Sequence, residues 1–189
     1  MDNITEKDIV LIGNGPSAIG YEYGELIDSF HNIGRFNNFH IEKFEKFVGT
    51  KTTHWFTTGN FPGVKDKNYF KDIYYVITPT WEVLNCFNKF RNVFCDDIFK
   101  KILLFPEIPF WEIRRKYGYW NPSSGLVVSL LFSMIYERVF ISGFDFFLSD
   151  THHYGDAAVD CFHKGKIEKV IFDRMKKERK NIFNLEELL

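Results

Sequence analysis

Residues 8–20 read DIVLIGNGPSAIG, and this stretch decides the fold. A short apolar run stops at the turn Gly13-Asn14-Gly15-Pro16-Ser17, and a helix-like stretch follows. This is how an α/β protein turns from a buried strand into a helix and points backbone amides at an anionic ligand. Because the turn lacks the pattern G-x-G-x-x-G and no Gly-Lys-Ser/Thr follows, neither common nucleotide motif is present. A tight strand–helix turn without a ligand remains the alternative.

The length and charge of the chain restrict the classes of function. A chain of 189 residues fits one domain, here taken as 1–189. The formal net charge of −1 gives no field that would attract nucleic acid. Three cysteines without zinc-type spacing favour a reducing compartment. The charged start of the chain is not a secretory signal, and the longest apolar run, residues 126–135, is too short to cross a bilayer.

Strand-like and helix-like patterns alternate along the chain. Strands are predicted at 8–13, 31–37, 73–79, 101–106 and 138–147, and helices at 17–29, 80–93, 123–137 and 166–180. The polar, Gly-containing stretch 48–72 is predicted to be a long surface loop. Alternation of this kind predicts an α/β fold, a single Rossmann-like domain with a mostly parallel sheet and helices on both faces.

Ligands of such sheets bind beyond the carboxyl ends of the strands. The loops that fall there are Asn14–Ser17, Asn37–Asn38 and Gly143–Asp150. Ser123 and Ser124, at the start of the predicted buried helix, can cap that helix or bind an anion.

Three histidines, His152, His153 and His163, follow the last predicted strand. Histidine suits a general base or a phosphate-binding group at neutral pH. A zinc site is the alternative, although no H-E-x-x-H or paired-cysteine spacing supports it, and Cys161 alone does not make a thiol enzyme. Glu168 can orient a histidine or favour the start of its helix.

The order of the motifs carries more information than any one of them. Residues 9–57 contain a GNG turn, then IDSF, RFN and VGTKTT, and this order resembles the large sialyl motif of glycosyltransferase family 29. NPSSGL at 121–126 with its following strand resembles the small motif, HHYG at 152–155 the third motif, and HKGKIE at 163–168 the very short motif. The GNGPS turn and SGFDFF also resemble the bacterial sialyltransferases of family 42.

The resemblance implies a GT-A-like sialyltransferase variant with a site for a CMP-sugar. It implies that His163 is the catalytic base and that His153 binds the departing phosphate, with Glu168 in support. The positions that it implies for donor binding are Asn14, Gly15, Asn37, Ser123, Ser124, Gly125, Asp145 and Tyr154.

The resemblance also implies the reaction. A hydroxyl of a glycan or glycolipid acceptor attacks the anomeric carbon with inversion, and CMP departs. We expect neither a metal nor a cofactor, because the leaving group is a monophosphate and no D-x-D motif is present.

Departures from the family pattern leave alternatives open. Ile9 and Tyr136 stand where the family has its disulfide, and no anchor precedes the domain, so we expect a cytoplasmic protein of bacterial or viral type. The variant third motif leaves another CMP-linked sugar, such as Kdo, open. A decayed nucleotide-binding protein on the same fold and a dehydrogenase are the other candidates.

Overall fold

A single parallel sheet organises the part of the chain that the computed structural model describes, which is residues 3–57, 74–77, 102–104, 106–148, 154 and 164–189. Every pair of neighbouring strands is parallel, and the strand order is β5-β4-β3-β2-β1-β6-β7. The strands are β1 (Asp8–Ile12), β2 (Asn32–Phe36), β3 (His54–Thr57), β4 (Tyr74–Ile77), β5 (Ile102–Leu104), β6 (Arg138–Ser142) and β7 (Ile182–Asn184).

Helices cover both faces of this sheet. They are α1 (Gly24–Asp28), α2 (Glu45–Val48), α3 (Ile108–Tyr117), α4 (Ser124–Ile135) and α5 (Gly165–Arg179), with 3₁₀ turns at Pro16–Ile19 and Leu185–Leu188. None of the helices in the described ranges is both long and apolar enough to pass through a bilayer.

The inner strand β1 shows why helices cover both faces of the sheet. Ile9 and Leu11 belong to one buried cluster, which includes apolar residues of α3, α4 and α5. Val10 and Ile12 point the other way, into a second cluster formed with α1 and the chain around α2. Because successive side chains of a strand face opposite sides, a continuous apolar run is what a strand buried on both faces requires.

The amino ends of β1 and β6 are joined by an ion pair. Arg138 donates from Nε and Nη2 to the buried carboxylate of Asp8, at 2.8 and 2.7 Å. Burial pushes the pKa of Asp8 upward, but hydrogen bonds from Arg138 and Thr5 outweigh it and hold the pKa below its usual value. The carboxyl ends of the strands lie at the opposite edge of the sheet.

The predicted α/β fold with a parallel sheet is confirmed, and five of its strands lie where the sequence placed them, with shorter bounds. The predicted helices 123–137 and 166–180 correspond to α4 and α5. The helix predicted at 80–93 lies outside the described residues. That residues 1–189 form a single domain stays a prediction.

Some local predictions were wrong. The helix predicted at 17–29 is broken into the 3₁₀ turn and α1, and the break lies between Gly20 and Gly24, since glycine disfavours a helix interior. The predicted loop 48–72 contains β3. The strand predicted at 138–147 ends at Ser142, because the backbone turns at Gly143, whose φ is +73°. The helix α3 and the short strand β7 were not predicted.

Candidate functional site

The turn after β1 is hydrogen-bonded to the loop after β6. Gly13 N donates to Ser142 O at 2.8 Å, and Gly15 N donates to Gly143 O at 3.0 Å. The two strand ends therefore continue side by side past the sheet and form one wall at its carboxyl edge.

Both glycines of this turn are needed for that contact. A Cβ on Gly13 would lie 2.3 Å from the carbonyl oxygen of Gly143, and a Cβ on Gly15 would lie 2.6 Å from Oδ2 of Asp145. The sequence suggested that the glycines let a nucleotide approach. The structure adds a reason that is independent of any ligand, since the two loops could not pack with larger residues here.

Asn14 connects three parts of the carboxyl edge. Its Nδ2 donates to Phe36 O at 3.0 Å, at the end of β2, and its backbone carbonyl accepts from Tyr154 N at 2.8 Å. Its buried Oδ1 has no hydrogen-bond partner in the described part of the chain. A buried acceptor without a protein donor is a position that a ligand donor group can satisfy.

Asn37 stands at the end of β2, close to the turn that holds Asn14. Its φ of +47° is a left-handed conformation that asparagine tolerates better than most residues. Its N donates to Phe56 O and its O accepts from Trp55 Nε1, both at 2.7 Å. These bonds bind the end of β2 firmly to β3.

Asp145 lies on the other side of the same turn. Its Oδ2 accepts from Ser17 N at 2.8 Å, so the carboxylate binds the first turn of the 3₁₀ segment Pro16–Ile19. The next two residues, Phe146 and Phe147, have φ of +51° and +55°. Two consecutive left-handed residues with bulky side chains are uncommon and mark a constrained loop.

The small-motif residues stand at the start of α4. Ser123 is the N-cap of the helix, and its Oγ accepts from Leu126 N at 3.4 Å. Ser124 and Gly125 are the first residues of the helix, and a Cβ on Gly125 would lie 3.1 Å from the ring of Phe144. The start of α4 therefore packs against the loop that follows β6.

Glu168 of α5 binds this helix start directly. Ser123 N donates to its Oε1 at 2.7 Å, and Ser123 Oγ donates to its Oε2 at 2.5 Å. Tyr119 Oη donates to Oε1 at 3.2 Å. The side chain of Glu168 is 1% exposed, so these bonds form away from water. Glu168 thus positions Ser123, a role that the sequence did not indicate.

Tyr154 is buried against the segment that follows β2. Its hydroxyl donates to His40 O at 2.8 Å, and its ring contacts Phe44 edge-on. Its backbone N reaches Asn14, as described above. That the residue contacts the donor stays a prediction.

The two predicted catalytic histidines, His153 and His163, lie outside the described residues. Their chain neighbours are described, and both are hydrogen-bonded. Tyr154 N donates to Asn14 O at 2.8 Å, and Lys164 N donates to Tyr119 Oη at 3.2 Å. The roles of the two histidines stay predictions.

Two charged residues bind the segment 48–53, and sequence reasoning missed them: Arg35, which is buried, and Asp28, which is partly exposed. The Nη2 of buried Arg35 donates to Val48 O at 2.6 Å and to Lys51 O at 3.0 Å. The carboxylate of Asp28 accepts from Thr50 N and Lys51 N at 2.8 and 2.9 Å. Asp28 and Arg35 therefore hold the VGTKTT segment against β2. The sequence feature that could have revealed this contact is Arg35, a charged residue inside the otherwise mostly apolar strand NIGRF.

A cleft of about 520 Å³ opens beyond the carboxyl ends of β6 and β7, against α5. Its wall includes Phe144, Phe146 and Phe172, with Lys169 and Asp173 at its edge. Asp145 is the one predicted donor residue that lines it. The cleft therefore adjoins the predicted donor positions without enclosing them.

Comparison with known proteins finds similar sequences and similar structures. The model of glycosyltransferase family 29 (sialyltransferase) matches residues 3–90. The beta-1,6-galactosyltransferase GALT29A of Arabidopsis thaliana is 40% identical over 50 residues, which are 26% of this chain and 13% of that protein. The match thus spans about an eighth of the curated relative.

Two solved mammalian sialyltransferase structures share the fold. One, in complex with Gal-beta-1-3GalNAc-ortho-nitrophenol, has a TM-score of 0.68 and 23% identity, covering 96% of this chain and 73% of that chain. The other has the same TM-score and identity, covering 94% and 68%.

The fold is therefore the α/β fold found in sialyltransferase structures. The predicted resemblance to glycosyltransferase family 29 is confirmed over residues 3–90, where the family model matches. The solved structures show that the fold is shared over nearly all of the chain.

Proposed function

We propose that the protein is an inverting, metal-independent glycosyltransferase that moves sialic acid, or a related acidic sugar, from a CMP-sugar to a glycan hydroxyl. The observation that supports this most is the convergence on Asn14. Its amide binds the end of β2, its carbonyl binds Tyr154, and its flanking glycines bind the loop after β6. Residues from three predicted sialyl motifs are thus hydrogen-bonded to Asn14 or to its flanking glycines, and the Oδ1 of Asn14 is a buried acceptor.

In the proposed reaction an acceptor hydroxyl oxygen attacks the anomeric carbon of the donor. The bond between that carbon and the phosphate oxygen breaks, and CMP leaves with the electron pair. His163 takes the hydroxyl proton, and His153 donates a hydrogen bond to the departing phosphate. General base catalysis of this kind is typically worth about 10²–10⁴-fold in rate.

The test is titration calorimetry with CMP, UMP and NAD, followed by an assay of CMP release from CMP-sialic acid with a panel of galactosides. We expect CMP to bind most tightly, and transfer to be unchanged in EDTA. Binding of NAD without CMP would contradict the proposal. If the wild type bound CMP but showed no turnover, and if His163→Ala caused no further loss, a decayed site would be favoured.

Two variants with matched controls locate the site. Asn14→Ala should weaken CMP binding about tenfold, which corresponds to about 1.4 kcal/mol. Asn32→Ala is its control, because Asn32 bonds Glu6 O and Asp8 O at the opposite edge of the sheet and should leave CMP binding unchanged. His163→Ala should abolish transfer but keep CMP binding, whereas exposed His31→Ala should change neither.

A second candidate is a galactosyltransferase, because 50 residues of the chain are 40% identical to GALT29A. Competition of CMP against UDP for the site decides between them. A preference for UDP, with release of UDP from UDP-galactose, would establish the second candidate.

A further inference from the structure

Two exposed tryptophans flank an arginine beside the start of α4. Trp111 and Trp120 are 53% and 69% exposed. The guanidinium carbon of Arg114 lies 5.3 Å from the ring centroid of Trp111 and 5.6 Å from that of Trp120. Arg114 Nε also donates to Trp120 O at 3.3 Å, which fixes the second tryptophan relative to α3. We call these three residues the tryptophan platform.

The core does not account for this exposure. Phe110 and Ile113 supply the buried face of α3. Trp111 and Arg114 are three residues apart and share another face of the helix, which is open to water. Large indole surface left in water at one place marks a binding surface more often than a free one.

The platform lies at the same edge of the sheet as the predicted donor positions. The helix α4 precedes β6 by two residues, so its last turn is near the amino end of β6 and its first turn is at the carboxyl edge. Trp120 is three residues before Ser123, which is the N-cap of α4. The Cα of Trp120 is thus within about 11 Å of the Cα of Ser123, and Arg114 and Trp111 are joined to Trp120 by the contacts given above.

The chemistry of the platform fits a sugar. A pyranose ring has an apolar face of C–H groups that stacks on an indole ring, and hydroxyls at its rim that accept from a guanidinium. Tryptophan and arginine are also the side chains that dominate binding energy at recognition surfaces. The net charge of −1 gives no support to a polyanionic partner.

We propose that Trp111, Arg114 and Trp120 form a stacking surface for the acceptor glycan. This inference rests on the proposed function, which places the transfer reaction at the carboxyl edge. It identifies acceptor-binding residues that neither the motifs nor the comparisons assign.

The test begins with an array of terminal galactosides, N-acetylgalactosaminides, glucosides and sialosides, probed with the wild-type chain without donor. The glycan retained best, and Gal-beta-1-3GalNAc-ortho-nitrophenol, are then titrated while indole fluorescence is recorded. Trp120→Ala and Trp111→Ala should weaken glycan binding about 5–30-fold, and Trp120→Phe should keep most of it. CMP affinity should not change in any of the three.

Ile135→Ala is the matched control. Ile135 is also an exposed apolar residue, but it ends α4, about 17 Å along the helix from Ser124. It should leave glycan binding unchanged. In steady-state transfer assays the platform variants should raise the acceptor KM and leave kcat within about twofold.

Three results would overturn the inference: a wild type that retains no glycan on the array, equal glycan affinity in Trp120→Ala and wild type, or a self-association lost in Trp120→Ala without any glycan binding. The chain could also bind glycan through Trp120 but neither bind CMP nor transfer sialic acid. That result would refute the proposed function and would leave the tryptophan platform established as a glycan-binding surface.

Discussion

Ser123 and Glu168 are 45 residues apart in the chain, and the carboxylate of Glu168 accepts both the N–H and the Oγ–H of Ser123. This contact joins the start of α4 to the first turn of α5. The two motifs that the sequence suggested separately, NPSSG and HKGKIE, are thus parts of one hydrogen-bonded unit. Tyr119 extends this unit, since its hydroxyl contacts both Glu168 and Lys164 N.

Glu168→Ala should lower the free energy of unfolding by about 2–4 kcal/mol, because it leaves buried donors of Ser123 and Tyr119 without this acceptor. Glu168→Gln should lose less, since it keeps one carbonyl oxygen. Urea denaturation measures both. Glu178→Gln on the same helix is the control, because its ion pair with Lys116 is exposed to solvent and should contribute little to stability. Equal losses of unfolding free energy in Glu168→Ala and Glu178→Gln would contradict the assigned role.

Gly49→Ala should destabilise the protein by about 3 kcal/mol. The φ of Gly49 is +71° with a ψ of 179°, a region that is almost restricted to glycine, and a Cβ would lie 2.6 Å from Oδ1 of Asp28. Gly118→Ala is a matched control, because its φ is +65° but a Cβ would meet nothing within 4 Å. It should cost about 1 kcal/mol. Thermal unfolding of both variants would show the difference, and similar losses would refute the steric argument.

Gly15→Ala should cost about 2–3 kcal/mol, since its Cβ would lie 2.6 Å from Oδ2 of Asp145. Adding Asp145→Ala should restore about 1 kcal/mol of that loss. The recovery is partial because the Cβ also lies 2.8 Å from the carbonyl of Gly143. A double-mutant cycle of unfolding free energies measures the coupling. Gly20→Ala, with a nearest contact of 3.3 Å to Ser17 O, should change stability by less than about 1 kcal/mol.

Acidification should destabilise the protein through His54. Burial between the rings of Phe56 and Phe132 lowers the pKa of His54 from 6.5 to about 4. The unfolded chain therefore binds the proton first, and stability is lost as the pH falls from about 6.5 to about 4.

The contribution of His54 amounts to about 3 kcal/mol between pH 7 and pH 4. His54→Leu should flatten the pH dependence of the unfolding free energy by that amount, while exposed His31→Leu should not. Identical slopes in wild type and His54→Leu would contradict the assignment.

The sequence predicted the parallel sheet because strand-like and helix-like patterns alternate along the chain, and helices that connect parallel strands cover both faces of their sheet. It predicted α4 because the segment is apolar all round. The motif order also indicated which strand-end residues share the carboxyl edge, and the structure brings Asn14 to Phe36 O and Tyr154 N there.

Contacts between distant segments could not be predicted from the sequence. The strand β7 has three residues and is stabilised by pairing with β6, so its local pattern is too short to recognise. The helix α1 begins at Gly24, which packs closely against the backbone at Glu45, and no local pattern encodes that contact. The carboxylate of Glu168 could not be assigned to Ser123, since a spacing of 45 residues carries no geometry by itself.

The position of β1 has a consequence for the folding order. The first strand of the chain lies inside the sheet, between β2 and β6, and its partner β6 begins 130 residues later, where Arg138 meets Asp8. A nascent chain can pair β1 with β2 and β2 with β3 early, but the wall formed by Gly13, Gly15 and Gly143 must wait until β6 has left the ribosome. Long-range pairing of this kind slows folding. Acquisition of ligand binding should therefore be a late event in the refolding of this protein.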